Sequence, residues 1–339
     1  MTESRPLVSV CVANYNGMTV IDDCLQSVLA QVGDIALEII VHDDASTDGS
    51  VTHIRARYPA ARLIESTSNV GFCVANNRMT AQAKGEYLLL LNNDAALFPD
   101  SLQTLLAEAS RLGRPAILGL PQYDATSGEL VDMGSFFDPF LNPIPNLDPS
   151  LNDVGMVIGA CLWIPRSLWQ ELGGFPDWFG SIAEDMYLCC RARLAGHPVR
   201  ALASSGYRHC QGKSFGGNRV SNKGLATTFR RRALSERNKT FVMALTYPAP
   251  WMWPMLALHL TLLFVEGCLL TIVNMDRRFW REIYAPCFQA LWHRRMLLGR
   301  LRREIQESRR VGAAALVSAF RLTPYKLLML SRHGLPRVR

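Results

Sequence analysis

Four times in the first hundred or so residues an apolar run gives way to a helix-patterned segment, and this rhythm restricts the fold more than any other feature. Leu7 to Ala13 (LVSVCVA) reads as a buried strand. Thr19 to Gln31 follows with apolar pairs at Val20/Ile21, Cys24/Leu25 and Val28/Leu29, the stripe of an amphipathic helix. Leu37 to Val41 is a second strand that stops at His42-Asp43-Asp44. The run Ser46-Thr47-Asp48-Gly49-Ser50 offers capping residues for a helix through Tyr58. Arg62 to Glu65 and Glu86 to Leu91 are further strands around a helix over Gly71 to Lys84, and the last strand ends at Asn92-Asn93-Asp94. Pro99-Asp100 opens another helix, closed near Gly113. Such alternation marks the α/β class: a Rossmann-like, mostly parallel sheet with helices on both faces. Ligands of these sheets bind outside the carboxyl ends of the strands, where Asp43-Asp44 and Asn92-Asn93-Asp94 both fall.

Beyond this half the pattern loosens. Residues 121–155, rich in Pro, Asn, Asp and Gly, read as a long mobile excursion. Val157 to Ile164 resumes an apolar strand, Ser167 to Leu172 a short helix, and Glu184 to Ala195 a longer one. The expected division is one region over 1–240, changing in character near 120, then a helical, apolar and basic region over 241–339.

Each polar cluster admits a chemical and a plain structural reading. Asp43 and Asp44 can accept hydrogen bonds from a ribose or base, or can simply favour a helix N-terminus. Asp94, directly after an apolar strand, suits a hard cation that also holds phosphate oxygens; an Asx turn explains it equally simply. Glu184-Asp185 opens a helix after Phe175-Pro176-Asp177-Trp178-Phe179-Gly180, placing a carboxylate where a general base or an ordinary helix-start acid would stand. His209 is a candidate ligand for an Mn²⁺-like ion, with Lys213 near enough in sequence to meet phosphate; a packed or surface histidine is the alternative. Gly212, Gly216 and Gly217 read as a flexible loop able to close over a ligand.

Six stretches taken together resemble inverting glycosyltransferase family 2, of the GT-A fold, and its bacterial rhamnosyltransferase-like members in particular. They are VSVCVANYNG (8–17), LEIIVHDDASTDGS (37–50), NVGFCVANN (69–77), GEYLLLLNNDA (85–95), GGFPDWFGSIAEDMYLCCRARLAGH (173–197) and HCQGKSF (209–215), in family order across about two-thirds of the chain. The resemblance implies that Ala13, Asn14 and Tyr15 line a nucleotide pocket with Asp43 and Asp44, and that Asn77 supports the donor region. It makes Asn93 and Asp94 the end of the metal-binding Asp-X-Asp motif, with Asp94 and His209 toward Mg²⁺ or Mn²⁺, and Asp185, beside Glu184, the catalytic base. Two departures stand out: Asn92-Asn93-Asp94 carries a single carboxylate, and Tyr187 occupies a position that is often acidic. The implied reaction moves a sugar from a nucleoside-diphosphate donor (dTDP- or UDP-linked) to a hydroxyl of a glycan or lipid-linked saccharide, in polysaccharide or cell-envelope biosynthesis. The rivals are a non-catalytic saccharide- or nucleotide-binding protein of the same fold and a nucleotidyltransferase. The latter would want a glycine-rich basic loop after the first strand, where this chain has Asn14-Tyr15-Asn16-Gly17.

The formal charge of +7 is concentrated at one end: from Asp276 to Arg339 there are fifteen Lys/Arg against four acids. Met255 to Val273 is apolar for nearly the ~20 residues that cross a bilayer. His259 and Glu266 interrupt it, and a central Glu costs about 2.5–3.5 kcal/mol on insertion scales. With Pro248, Pro250 and Pro254 breaking helix continuity upstream, the expectation is an interfacial helix or hairpin, held to the inner membrane surface by Trp251, Trp253 and the arginines. A buried helix or a homo-oligomer interface is the alternative, and nucleic acid is not expected because no recognisable motif accompanies the arginines. The nine cysteines form no CxxC pair and read as free thiols of a reducing compartment. Since MTESRPLVSV lacks a signal-peptide layout, the expected location is cytoplasmic, peripheral on the inner membrane.

Overall fold

A computed structural model describes residues 6–210, 219–221, 224–335 and 337–338. The loop glycines 212, 216 and 217 and Lys213 lie outside the described residues. The chain divides into two compact units that interleave along the sequence. The first comprises Met1–Ser135, Pro145–Ala192 and His197–Gln211; the second comprises Phe136–Ile144, Arg193–Gly196 and Gly212–Arg339.

The first unit is built on β1 (Val8–Asn14), α1 (Ile21–Leu29), β2 (Leu37–Asp43), α2 (Ser50–Arg57), β3 (Arg62–Glu65), α3 (Phe72–Gln82), β4 (Tyr87–Asn92), β5 (Ala95–Leu97), α4 (Ser101–Leu112), β6 (Ile117–Gly119), β7 (Gln122–Asp124) and β8 (Leu130–Asp132). Two short strands, β9 (Ser135–Phe137) and β10 (Pro143–Pro145), fall mostly in the Phe136–Ile144 segment of the second unit, while the first continues with β11 (Cys161–Pro165), α5 (Arg166–Leu172), α6 (Glu184–Leu194), β12 (Val199–Ala201) and β13 (Tyr207–His209). The main sheet has seven strands in the order β12-β6-β11-β4-β1-β2-β3. The pairs β1/β2, β1/β4, β2/β3 and β6/β12 are parallel, and β11 runs antiparallel between β4 and β6. The mostly parallel α/β sheet expected from the alternation is therefore present. Alternate strand residues Val8, Val10, Val12, Ile39, Val41, Leu89 and Leu91 pack with Ile21, Cys24, Leu25 and Val28 of α1 and Leu102 and Leu105 of α4 into one buried cluster. At ~25 cal/mol per Å² of apolar area removed from water, such a core is what holds the strand ends in place. α4 closes at Gly113, whose φ of 60° is the left-handed cap that glycine adopts without strain.

Three local expectations change. Residues 121–155 are not a featureless excursion: β7 and β8 join β5 and β13 in a four-stranded sheet, and buried Asp132 accepts from Asn146 N (3.0 Å) and Ser135 Oγ (3.1 Å). Its polar composition serves these internal bonds. The apolar run from Val157 becomes a strand only at Cys161, because the chain turns at Gly159-Ala160. The prolines do not break the long apolar helix. Pro248 and Pro250 precede it, and Pro254 stands in its first turn, where backbone N–H groups lack intrahelical acceptors.

The second unit contains β14 (Arg219–Ser221), β15 (Gly224–Thr227), α7 (Phe229–Thr246), α8 (Met252–Val273), a π-helical turn at Phe279–Tyr284, α9 (Ala285–His293), α10 (Arg295–Glu307), α11 (Ala313–Val317), α12 (Tyr325–His333) and β16 (Arg337–Val338). Helix α7 runs through residue 240, and α8 is long and apolar enough to cross a membrane by length and composition. No disulfide joins any of the nine cysteines.

Candidate active site

The parallel register sets the donor-side cluster. Asn14 and Asp43 are register partners at the ends of β1 and β2, and Ala13 pairs with His42 on one side and Asn92 on the other. Asn14 Nδ2 donates to Asp43 Oδ1 (2.8 Å) and Ser50 Oγ (3.0 Å), while Asn93 Nδ2 donates to Asn14 Oδ1 (3.0 Å). Asn14, Asp43 and Asn93 are buried, and their bonds span three strand ends. Tyr15, the next residue after β1, is 52% exposed and so available to a ligand.

Ser46 and Asp48 do something the sequence pattern did not indicate. Neither is the N-cap of α2, which is Gly49, although Asp48 Oδ1 accepts from Ser50 N (3.1 Å) at the helix start. Ser46 Oγ accepts from Asn16 N (2.9 Å) and donates to Asp43 Oδ1 (2.6 Å), and Asp48 Oδ2 accepts from Met18 N (2.8 Å). The loops after β1 and β2 are thereby latched together. Gly17 makes the latch possible, since a Cβ there would stand 2.1 Å from Asn14 Oδ1 and 2.3 Å from Asn93 Nδ2.

Asp44 touches this cluster through its backbone, its N donating to Asn14 O (2.9 Å), while its side chain serves another loop. Its two oxygens accept from Val70 N (2.6 Å) and Gly71 N (2.9 Å), fixing the entry to α3. Asn77, on α3, bonds to Phe175 O (2.7 Å), Asp177 Oδ1 (2.7 Å) and Phe175 N (3.1 Å). It holds the aromatic segment that leads to α6 and is not in the Asn14 cluster. Gly180 O accepts from Cys73 N (3.0 Å), a second tie between α3 and that segment.

The carboxylate at the start of α6 is anchored to the central sheet. Asp185 Oδ2 accepts from Gly159 N (3.0 Å) and Oδ1 from Met186 N (2.7 Å). The neighbouring residue Ala160 accepts from Asn92 N (3.0 Å), so Asp185 sits one peptide from the end of β4. Asp185 is half-buried, whereas Glu184 beside it is buried. Ile182 and Ala183, immediately before them, have φ of 70° and 67°. Gly159 was not singled out by its sequence, where it sits inside an apolar run.

Asp94 and His209 are 115 residues apart in sequence and meet across β5 and β13, His209 pairing with Ala95. Asp94 Oδ1 lies 3.1 Å from His209 Nε2, and His209 Nδ1 is buried with no partner among the described residues. An oxygen and a nitrogen on adjacent positions of a small divalent ion, each about 2.1 Å from it, stand about 3 Å apart. The pair fits that spacing, leaving other positions for phosphate oxygens and water. No group of three or more His, Cys, Asp or Glu side chains poised for a metal occurs among the described residues.

Comparison with known proteins then decides the family. Residues 9–173 match the family described as glycosyl transferase family 2. The chain thus carries a domain of that family over 9–173. It is a glycosyltransferase. It is 28% identical over 253 residues to the N-acetylglucosaminyl-diphospho-decaprenol L-rhamnosyltransferase of Mycobacterium tuberculosis, covering 66% of this chain and 81% of the relative. The fold of this glycosyltransferase is similar to S. aureus TarS 1–349 in complex with UDP-GlcNAc (TM-score 0.55, 17% identity, 94% of this chain and 91% of that one). It is also similar to GalNAc-T7 with UDP, GalNAc and Mn²⁺ (TM-score 0.57, 13% identity, 87% of this chain and 58% of that one).

Proposed function

We propose that this glycosyltransferase moves a sugar from a dTDP- or UDP-linked donor to a hydroxyl of a glycan or lipid-linked saccharide, inverting the anomeric centre. The observation that carries the reading is the placement of Asp185. Its carboxylate is half-buried, fixed by two backbone N–H groups, and one peptide from the strand end that leads to Asp94. A base must be aimed and still reach its proton, and this arrangement allows both.

Asn14, Asp43 and Asn93 hold the strand-end rim, Ala13 and Tyr15 border it, and Asp44 orders the loop at 70–71. Asp94 and His209 would hold Mg²⁺ or Mn²⁺, which when bound offsets the charge of the departing nucleoside diphosphate. Asp185 takes the proton of the acceptor hydroxyl as that oxygen attacks the anomeric carbon from the face opposite the leaving group. The bond to the diphosphate oxygen breaks in the same displacement, so no protein nucleophile is required. Glu184 and Asn77 position the base segment. The M. tuberculosis relative, whose name carries a diphospho-decaprenol acceptor, supports a lipid-linked substrate; on our reading the transfer takes place at the cytoplasmic face of the inner membrane.

The test is Asp185→Asn. Expected is a loss of transfer of about 10³-fold or more with nucleotide affinity kept; normal turnover in the folded variant overturns the assignment. A thermal-shift series of nucleoside diphosphates, with and without Mn²⁺, checks the donor and the ion, since a specific ligand raises stability by mass action. Equal shifts with all nucleotides, and none added by the ion, would reject the donor site and the Asp94–His209 pair.

A further inference from the structure

Both ionisable side chains of α8 turn toward the protein. Leu256, His259, Leu263, Gly267 and Leu270 are buried and spaced three or four residues apart, so they form one face. His259 Nε2 meets Thr240 Oγ1 at 2.9 Å, and burial pulls the imidazole pKa down to about 3, leaving it neutral near pH 7. Glu266, the helix's one acid, receives Arg232 Nη2 at 2.7 Å and Lys326 Nζ at 2.6 Å. Lys326 also reaches Glu236 (2.7 Å), which pairs with Lys239 (2.9 Å). The charge expected to oppose membrane contact is thus balanced within the unit. Gly267 brings the π-helical turn against α8, since a Cβ there would lie 2.8 Å from the Tyr284 ring and 2.9 Å from that of Trp280.

The opposite face carries Leu258, Leu262, Val265, Leu269 and Ile272, again three or four apart and each between 45% and 71% exposed. No charged side chain interrupts it over the ~33 Å of the helix. Trp251 and Trp253 are exposed at its start, and Arg277, Arg278 and Arg281 are exposed just beyond its end. A contiguous apolar stripe of this length, bordered by such residues, marks an interaction surface.

We propose that this face of α8 lies in the plane of an anionic bilayer surface, with the tryptophans and arginines at headgroup level. Charge selects this partner: fifteen Lys/Arg against four acids from Asp276 onward attract anionic lipid and repel a second copy. The helix lies along the membrane and does not cross it. Its buried face is fixed against α7 beside the ion pairs of Glu236 and Lys239, and crossing would draw those charges into hydrocarbon. The proposal is independent of the transfer reading, because nucleotide binding by the first unit is a separate readout.

The experiment floats the full chain with phosphatidylcholine vesicles, with and without phosphatidylglycerol. Expected is co-flotation with the anionic vesicles, weakened by high salt and abolished by alkaline carbonate. Leu262→Asp with Leu269→Asp should lower partitioning about 100-fold, since a buried leucine and a tenfold change in partitioning are of similar energy. Arg277→Gln with Arg281→Gln, at exposed positions that keep the fold intact, should lower it about tenfold or more. Unchanged melting and nucleotide binding show that either variant is folded. The proposal fails if the wild-type chain ignores anionic vesicles, if it resists carbonate as a spanning helix does, or if neither pair changes flotation. It fails too if the chain is a dimer that the leucine variant dissociates.

Discussion

Gly17→Ala tests the donor-side cluster with one methyl group. The glycine φ lies outside the left-handed region, so alanine adds no backbone strain, and any effect comes from the side chain's position. The new Cβ would meet Asn14 Oδ1 at 2.1 Å and Asn93 Nδ2 at 2.3 Å, distances that no packed carbon tolerates. Both atoms belong to short amides already committed to Asp43, Ser50 and each other, so the methyl must separate Asn14 from Asn93. A buried polar group left without its partner costs about 1–3 kcal/mol, giving roughly 2–6 kcal/mol for the two amides. Calorimetric titration of the nucleoside diphosphate with Mn²⁺ should show affinity weakened at least about tenfold, equivalent to ~1.4 kcal/mol. Melting should fall by several degrees, at about 2–4 °C per kcal/mol for a domain of this size. Gly299→Ala is the control: nothing lies within 4 Å of its added Cβ, and alanine in the exposed helix α10 should stabilise by up to about 1 kcal/mol. Wild-type nucleotide affinity in Gly17→Ala would refute the assignment of Asn14, Asp43 and Asn93 to the nucleotide rim.

Three further outcomes follow from the structure. Burial raises the Asp132 carboxyl to about 7 against the hydrogen bonds from Asn146 and Ser135, whereas the unfolded group ionises near 4. The folded chain therefore keeps the extra proton in between, and stability, full below about pH 4, falls by up to about 4 kcal/mol as pH rises through 7. Asp132→Asn should flatten that slope in melts across the interval, and an unaltered slope would rule out this titration. Glu236→Gln leaves Lys239 and Lys326 without their shared carboxylate inside the second unit and should destabilise it by about 3–5 kcal/mol; chemical denaturation measures this, and a change under 1 kcal/mol would class the network as a solvated one. Ala183→Gly relieves a left-handed alanine and should raise melting by the equivalent of about 1 kcal/mol while lowering kcat, because the base segment loosens. A variant that melts higher at full kcat would separate that strain from catalysis.

Strand ends were the legible part of the chain. An apolar run that stops at polar residues reports burial and its limit, so β1, β2 and β4 fall within a residue or two of their expected bounds. β1 extends onto Asn14 because that residue pairs with Asp43, a tertiary fact invisible to local hydropathy. The same reasoning failed over Val157–Ile164, where hydropathy persists although the backbone turns to present Gly159 N to Asp185. Ser46 looked like a capping residue because caps and loop latches use the same short acceptors. Asp94 and His209 could be joined only through family resemblance, since spacing carries no information across 115 residues. For α8, composition disclosed the apolar length but not which way Glu266 turns, because that depends on Arg232 and Lys326 in distant helices.

Four of the seven non-glycine residues with positive φ among the described residues lie in the loops that carry the candidate site. Asn16 (φ 48°) and Ala45 (φ 63°) flank the Asn14–Asp43 pair, while Ile182 (φ 70°) and Ala183 (φ 67°) directly precede Glu184-Asp185. Asparagine accepts that conformation readily, alanine less so, and a β-branched isoleucine hardly at all. Such residues cost about 1–3 kcal/mol each and persist only where the surroundings over-determine them. At 182–183 those surroundings include the Gly180–Cys73 bond, the Asn77 bridge to Phe175 and Asp177, and the grip of Gly159 on Asp185. A chain selected only for stability would carry glycine at these positions. Keeping isoleucine and alanine there removes the freedom glycine would bring, so the approach to Asp185 is stiff as well as strained. That stiffness suits a group that must meet one hydroxyl in one orientation, and it links the least comfortable backbone of the first unit to the residue on which the transfer reading depends.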